Sequence, residues 1–148
     1  MKSVLVVGAS RGIGLEFVRQ YRGENVAVTA STRDAVGLAR LGELGATGIT
    51  LDITDERCPS TLREGIGGVR FDVVIVCAGM GSQVAALEAP STEAFDSLMH
   101  TNVLGPMRVL SSLVDVVVPG AKIVLLSSVM GAISDRKQPS NWLYAASK

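Results

Sequence analysis

"SVLVVGASRGIGLEF", Ser3–Phe17, joins a short apolar run to a loop with three glycines and then to a helical pattern. Val4–Val7 is continuously apolar, as a strand covered on both faces should be. Gly8, Gly12 and Gly14 follow at once as G-x-x-x-G-x-G. Glycines there permit a tight turn, let the backbone approach a pyrophosphate and allow the next helix to pack on the strand. The opening end of that helix adds N–H groups and a partial positive charge. A buried strand, this loop and a helix point to a dinucleotide site lined by Gly8, Ser10, Arg11, Gly12, Ile13 and Gly14. The plainer reading is a strand-to-helix turn with no ligand.

Working outward, Val/Ile-rich runs alternate with longer helical patterns. From Gly12 a helix carries Ile13, Phe17, Val18 and Tyr21 at i, i+4, i+5 and i+8 and ends near Gly23. Asn25–Ala30 reads as a second strand, Ala35–Leu44 as a second helix and Thr47–Leu51 as a third strand. Phe71–Val76 is a fourth strand, ending at Cys77-Ala78-Gly79. A long helix starts near Ser91 and runs towards Val117, and Ala121–Ser127 is a fifth strand. Such alternation means a parallel sheet with right-handed crossovers. The expected fold class is α/β: a Rossmann-type doubly wound parallel sheet in three αβα layers, with strand order 3-2-1-4-5. The six-stranded dinucleotide-binding arrangement runs 3-2-1-4-5-6, so this sheet is expected to stop one strand short. Residues 1–148 are expected to form one NAD(P)-binding domain, incomplete after strand 5.

Composition narrows the classes. At 148 residues the chain is long enough to bury roughly 70% of its unfolded surface. It is 47% hydrophobic but only 4% aromatic, so the core is built of Val, Leu, Ile and Ala. Fourteen basic residues balance fourteen acidic ones, which leaves no electrostatic footprint for nucleic acid or an anionic membrane. The apolar runs are broken by Pro, Gly and charge well short of the ~18 residues of a spanning helix. The N-terminal run turns straight into the glycine loop and reads as a strand, not a leader. Cys58 and Cys77 make no disulfide framework and lack metal-ligand spacing, so no metal is expected. The expectation is a soluble, cytoplasmic protein.

Charge separates NADP(H) from NAD(H). NAD sites use an Asp or Glu about 20 residues past the glycine loop, at the end of the second strand. Here that stretch reads "TASTRD", with Ala30 where the acid is expected, Arg33 nearby and Arg11 inside the loop. Two guanidinium groups suit a 2′-phosphate, so NADP(H) is favoured over NAD(H). The competing reading makes both arginines solvated surface charges. Asp34, the nearest acid, is more simply the cap of the second helix.

Two further constellations are readable. Asn102 lies on the apolar stripe of the long helix, and Pro106 four residues later has no N–H for its carbonyl. The freed carbonyl needs a partner, for which a water is suitable; the alternative is an ordinary polar residue at a kink. At the end, "YAASK" puts Tyr144 and Lys148 one helical turn apart on one face, a phenol beside an ammonium. His100, the single histidine, reads as packing or surface, and Met99, Met107 and Met130 as core filler.

Together, "GASRGIG", "LDIT", "CAGMG", "TNVLG", "LLSSVMG" and "YAASK" resemble the short-chain dehydrogenase/reductase family from Lys2 to Lys148. The sixteen positions from Ser128 to Tyr144 look most like its C-factor-like carbonyl reductase branch. The resemblance implies that Asp52 accepts from the adenine amino group, with Ile53 beside it, although a turn-capping Asp52 is the alternative. It implies that Cys77, Ala78 and Gly79 bring backbone to the cofactor, with Val76-Cys77 standing where the family has two Asn. It further implies a catalytic set of Asn102, Ser128, Tyr144 and Lys148. Asn102 would hold a relay water, Ser128 the substrate carbonyl, and Tyr144 would pass the proton. Lys148 would serve as Tyr144's partner and bind the ribose.

The family continues past this point with more helix, a sixth strand, a substrate loop and a seventh strand. Without those layers the fifth strand and the long helix should expose apolar surface, and the turn at Lys148 should fray for want of a carbonyl partner. The activity implied is NADPH-dependent reduction of a small carbonyl compound, by a homo-oligomer (dimer or tetramer) when complete. The alternatives are a non-catalytic dinucleotide-binding or signalling module, and a chain that needs a partner to complete its sheet.

Overall fold

The computed structural model describes residues 2–82, 88–135, 137 and 141–148. Its centre is a five-stranded parallel sheet in the order β3-β2-β1-β4-β5. The strands are β1 (Ser3–Val7), β2 (Ala27–Thr32), β3 (Thr47–Thr50), β4 (Phe71–Val76) and β5 (Val117–Leu125). The expected Rossmann-type sheet and its strand order are those observed.

Period-two alternation along β1 divides the core. Leu5 and Val7 face one layer with Ile49, Leu62, Phe71, Val74 and Val109. Val4 and Val6 face the other with Val18, Val28, Leu41 and Ile75. The second layer is closed by α1 (Gly12–Gly23) and α2 (Ala35–Glu43), the first by α3 (Cys58–Ile66) and α5 (Gly105–Ser111). Helices on both faces explain why β1 carries no polar alternation: its residues from Val4 to Val7 are all buried.

Several elements depart from the sequence reading. α3 was not expected, although Cys58, Leu62 and Ile66 stand at i, i+4 and i+8, Pro59 opens the helix and Gly67 closes it in the left-handed region. On α1 the buried positions are Gly14, Leu15 and Val18, while Ile13 is 62% exposed, so Ile13 leaves the core-facing stripe. The long helix begins as expected, with Ser91 capping α4 (Thr92–Met99) through Ala94 N–H. It ends at Ser111, short of Val117. Between α4 and α5, His100–Leu104 forms a π-helical turn. That wider turn is how the helix absorbs the missing N–H of Pro106. β5 starts at Val117, pairs with Phe71, and resumes at Lys122 opposite Val73 after an irregularity containing Pro119 and Gly120. A proline breaking the run made the strand look as if it began later. His100 is exposed, as read, but Met107 is 60% exposed and does not fill the core.

Candidate active site

The carboxyl ends of β1, β2 and β4 converge on the glycine loop. Gly8 adopts φ +88°, and a Cβ there would lie 2.6 Å from the backbone of Ala78. Only glycine lets the loop after β1 touch the segment after β4. From the other side Ser31, buried in β2, grips the loop: its Oγ accepts from Gly8 N–H at 3.0 Å and its carbonyl from Ala9 N–H at 2.7 Å. Sequence reasoning missed Ser31, since a hydroxyl in an Ala-Ser-Thr strand end carries no pattern of its own. Arg11, extended and exposed, precedes α1 without capping it, and no acidic residue stands in the helix's first turn.

β2 runs two residues past the expected Ala30, which is fully buried inside the strand. The exposed position past the strand is therefore Arg33. Asp34 caps α2 through Gly37 N–H at 2.7 Å, as its position suggested. Thr32 Oγ1, at the strand's end, is buried without a hydrogen-bond partner among the described residues and presses on Gly37.

After β3, Asp52 Oδ1 accepts from Thr54 N–H (2.9 Å) and Thr54 Oγ1–H (2.8 Å). The Thr54 bonds, with Arg33 nearby, hold its carboxyl below the usual 3.8 against a smaller opposing effect of burial. The turn-capping role is thus real, and it occupies only one of two carboxylate oxygens. The Ile53 side chain is buried against Gly105 of α5, so any contact it offers a ligand comes from its backbone.

On β4's carboxyl side, Cys77 and Ala78 N–H both donate to Val7 O, at 2.8 and 3.0 Å. These bonds tie β4's end to β1 although no Asn is present. Burial pushes the Cys77 thiol up to about 11, so it is a neutral thiol at pH 7.

Asn102, in the π-helical turn, works through its side chain. Oδ1 accepts from Met80 N–H (2.8 Å), while Nδ2 donates to Met80 O (2.9 Å) and to Ser147 Oγ (2.9 Å). Ser147 Oγ in turn donates to Tyr144 O at 2.7 Å. One buried amide therefore links the segment after β4 to the turn bearing Tyr144 and Lys148. A Cβ on Gly79 would fall 3.2 Å from Lys148 Nζ and 3.3 Å from Asn102 Oδ1, which places all three residues together.

Tyr144 lies on α6 (Trp142–Ala146). Lys148 lies just past it, held by Lys148 N–H to Ala145 O, so the expected helical i,i+4 register gives way to a tighter last turn. The pairing survives: Lys148 Nζ sits 5.8 Å from the Tyr144 ring centroid and donates to Leu126 O at 3.3 Å. Its carbonyl, expected to be orphaned, accepts from Ser127 Oγ–H at 2.9 Å. Gly131 permits this approach, since a Cβ there would lie 2.5 Å from the Lys148 carbonyl carbon. Ser128 opens the 3-10 turn Val129–Gly131, its Oγ accepting from Met130 N–H at 3.1 Å.

Asn141 and Trp142, also not foreseen, anchor α6. Asn141 caps Tyr144 N–H and donates to Ser82 O at 2.7 Å, and Trp142 Nε1 donates to Glu88 O at 2.9 Å. A cavity of about 240 Å³ opens among Ala78, Asn102, Leu126, Ser127 and Lys148. A larger cleft of about 660 Å³ is lined by Met80, Gly81, Pro90, Ala94 and Ser97. Among the described residues no group of three His, Cys, Asp or Glu could hold a metal, and no helix is long and apolar enough to cross a membrane.

Comparison with known proteins agrees with this fold. The chain is 30% identical to 1-hydroxy-2-glutathionyl-2-methyl-3-butene dehydrogenase of Rhodococcus sp. (strain AD45), over all of this chain and 66% of that protein. A short-chain dehydrogenase/reductase from Burkholderia multivorans, solved with bound NADP, superposes with a TM-score of 0.90 at 32% identity, covering 99% of this chain and 67% of that one. A carbonyl reductase from Pseudomonas aeruginosa PAO1 in complex with NADP gives 0.89 at 30%, covering 100% and 70%. The chain spans about a quarter to two thirds of the length of the curated relatives it matches. Residues 2–148 match the family model described as short chain dehydrogenase, and the chain belongs to that family.

Proposed function

We propose that residues 1–148 act as one NAD(P)-binding domain and carry the proton-donating centre of an NADPH-dependent reductase, which converts a carbonyl compound to an alcohol. The observation that carries this reading is the meeting of Asn102, Tyr144 and Lys148 beside Gly79, at the end of β4 and next to the glycine loop.

The residues fit a phosphorylated dinucleotide. The loop turns on Gly8 and Gly12 at positive φ, and a Cβ on Gly12 would meet nothing within 4 Å, so the loop is open to a ligand. Gly14 packs on the loop from the helix side, and Ser10 and the exposed Ile13 flank it. Arg11 and Arg33 would hold the 2′-phosphate, with the orphaned Thr32 hydroxyl close by. The free oxygen of Asp52 would accept from the adenine amino group, with the Ile53 backbone beside it. Cys77, Ala78 and Gly79 would line the far side.

When bound, the nicotinamide supplies the hydride. Tyr144 gives its phenolic proton to the carbonyl oxygen as that oxygen gains charge. Lys148 stabilises the phenolate left behind and binds the ribose. Ser128 accepts from Met130 N–H, which leaves its O–H free to hold the substrate oxygen. Asn102, through Met80 and Ser147, fixes the distance between β4's end and the Tyr144 turn. The Ser128-to-Tyr144 spacing favours the C-factor-like carbonyl reductase branch. A small-molecule substrate and a cytoplasmic setting go with the reading. A homo-oligomer does too: Phe95 on α4 and Met107 on α5 are 46% and 60% exposed and suit pairing with a second copy.

The test is a thermal melt with NADPH and with NADH, followed by NADPH oxidation over an aldehyde and diketone panel. Ligand at ~100 times its dissociation constant should add about 2.7 kcal/mol of stability. Tyr144→Phe should lower turnover by about 10²-fold or more while leaving NADPH affinity within about twofold. An upward melt shift without turnover in the wild type would favour a non-catalytic dinucleotide-binding module. Retained turnover in the variant would remove Tyr144 from the mechanism.

A further inference from the structure

Arg40, in the last turn of α2, reaches back to the glycine loop. Its Nη1–H donates to Ser10 O at 2.7 Å, thirty positions away in the chain. Ser31 holds Gly8 and Ala9, so three consecutive loop residues are pinned and one of the three ties is a cation. Ser10 is followed by Arg11, and Arg33 lies two residues past Ser31. Arg11 and Arg33 thus extend from the two backbone segments that these ties hold together.

Among the described residues Arg11, Arg33 and Arg40 form no close ion pair, and Arg33 lies near enough to Asp52 to help lower its carboxyl. The ion pairs found among the described residues are Arg19–Glu16 and Arg57–Asp55, neither of which involves these arginines. Asp34 and Asp52 keep their charge, but the hydrogen bonds they accept come from Gly37 N–H and from Thr54 rather than from a guanidinium. Glu43, three residues beyond Arg40, forms no ion pair. A guanidinium has five N–H donors, and the Ser10 bond uses one at Arg40, whose residue is exposed. A strap to a carbonyl needs only a neutral donor. A cation there, on the carbonyl of the residue before Arg11, favours an anionic ligand group.

We infer that Arg40 is a specificity-determining residue for the 2′-phosphate, held beside the glycine loop by Ser10 O and acting as its third cation with Arg11 and Arg33. The inference rests on the reading of this chain as a dinucleotide binder. It does not depend on catalysis, because the adenosine end of the ligand alone suffices to test it.

The experiment titrates the wild-type chain and the variants Arg40→Ala, Arg40→Gln and Arg40→Lys with adenosine 2′,5′-bisphosphate and AMP, then with NADPH and NADH. Melts of the unliganded variants check folding. Arg40→Ala and Arg40→Gln should weaken the bisphosphate and NADPH about 5- to 20-fold, leave AMP and NADH within about twofold, and leave the unliganded melt unchanged; Arg40→Lys should recover part of the loss. Equal losses for both members of each pair would make Arg40 a strap alone and overturn the proposal. Full retention by Arg40→Gln, or a wild type that holds the bisphosphate no tighter than AMP, would overturn it too. A wild type that discriminates the bisphosphate through Arg40 yet reduces no carbonyl would defeat the reductase reading and leave this inference standing.

Discussion

The two ends of the sheet are built to different standards. β1 at the centre has Val4–Val7 at 0–1% exposure, with helices on both faces. β5 at the edge is as apolar, yet Ile123, Val124 and Leu125 are 41–48% exposed. β1 is hydrogen-bonded to β2 and β4, whereas among the described residues β5 is bonded to β4 alone. Cover separates them further. The glycine-loop corner, on β1–β3, rests on a closed core, whereas Ser127, Ser128 and the turn at Lys148 follow a strand with apolar side chains open to water. The lesson is that the glycine-loop corner draws its rigidity from packing. The Tyr144–Lys148 corner draws it from a few polar ties: Asn102 to Met80 and Ser147, and Ser127 to Lys148.

The largest effect that would break this contrast comes from one truncation on each strand. Leu5→Ala deletes a fully buried side chain and should cost about 2–5 kcal/mol in urea unfolding. Leu125→Ala, starting half exposed, should cost about 1 kcal/mol or less. Comparable losses at the two sites would mean that β5 is covered in solution.

The polar ties give the next comparison. Ser31→Ala leaves Gly8 N–H without its side-chain partner in a buried strand end, a loss of about 1–3 kcal/mol. Ser127→Ala removes a bond at an exposed serine and should cost about 0.5 kcal/mol. Denaturant midpoints measured side by side decide it. A costlier Ser127 would mean that the Tyr144–Lys148 corner is the better-built of the two.

How much of this was legible beforehand follows the same division. Where cover is complete, periodicity suffices: β1, β4, α1 and the strand order are readable because continuous apolar runs and a glycine loop have few other meanings. Reading stalled where a breaker residue sat inside an element. Pro119 hid the first part of β5, and Pro59, which opens α3, was passed over with the whole helix. β2 was placed two residues early because Ser31 and Thr32 look like loop, although both are buried. In the candidate site the motif residues were identifiable by type and spacing, and Asn102, Tyr144 and Lys148 do come together. Ser31, Arg40, Asn141 and Ser147 were not, because each acts through a bond to a backbone or side chain distant in sequence, which no local pattern encodes.

The smallest expected effect concerns Asp52, at the rim of the well-packed corner. Its carboxyl is held below its usual value first by Thr54 N–H, with help from Thr54 Oγ1–H and Arg33. A carboxylate depressed in the folded state contributes stability that is present above the unfolded value near 3.8. That contribution is lost as pH falls through the lower folded value. Asp52→Asn can keep an acceptor for Thr54 while removing the charge. Its melting point should therefore lie about 1 °C or less below wild type at pH 7, since the group is largely exposed, and the two curves should begin to converge as pH falls below about 4. NADPH affinity should fall only a few-fold at pH 7, because an amide oxygen can still accept from the adenine amino group. A gap between the melts that widened towards acid would reverse the sign and place the Asp52 carboxyl above, not below, its ordinary range. Thr54 would then not be the group that governs this turn.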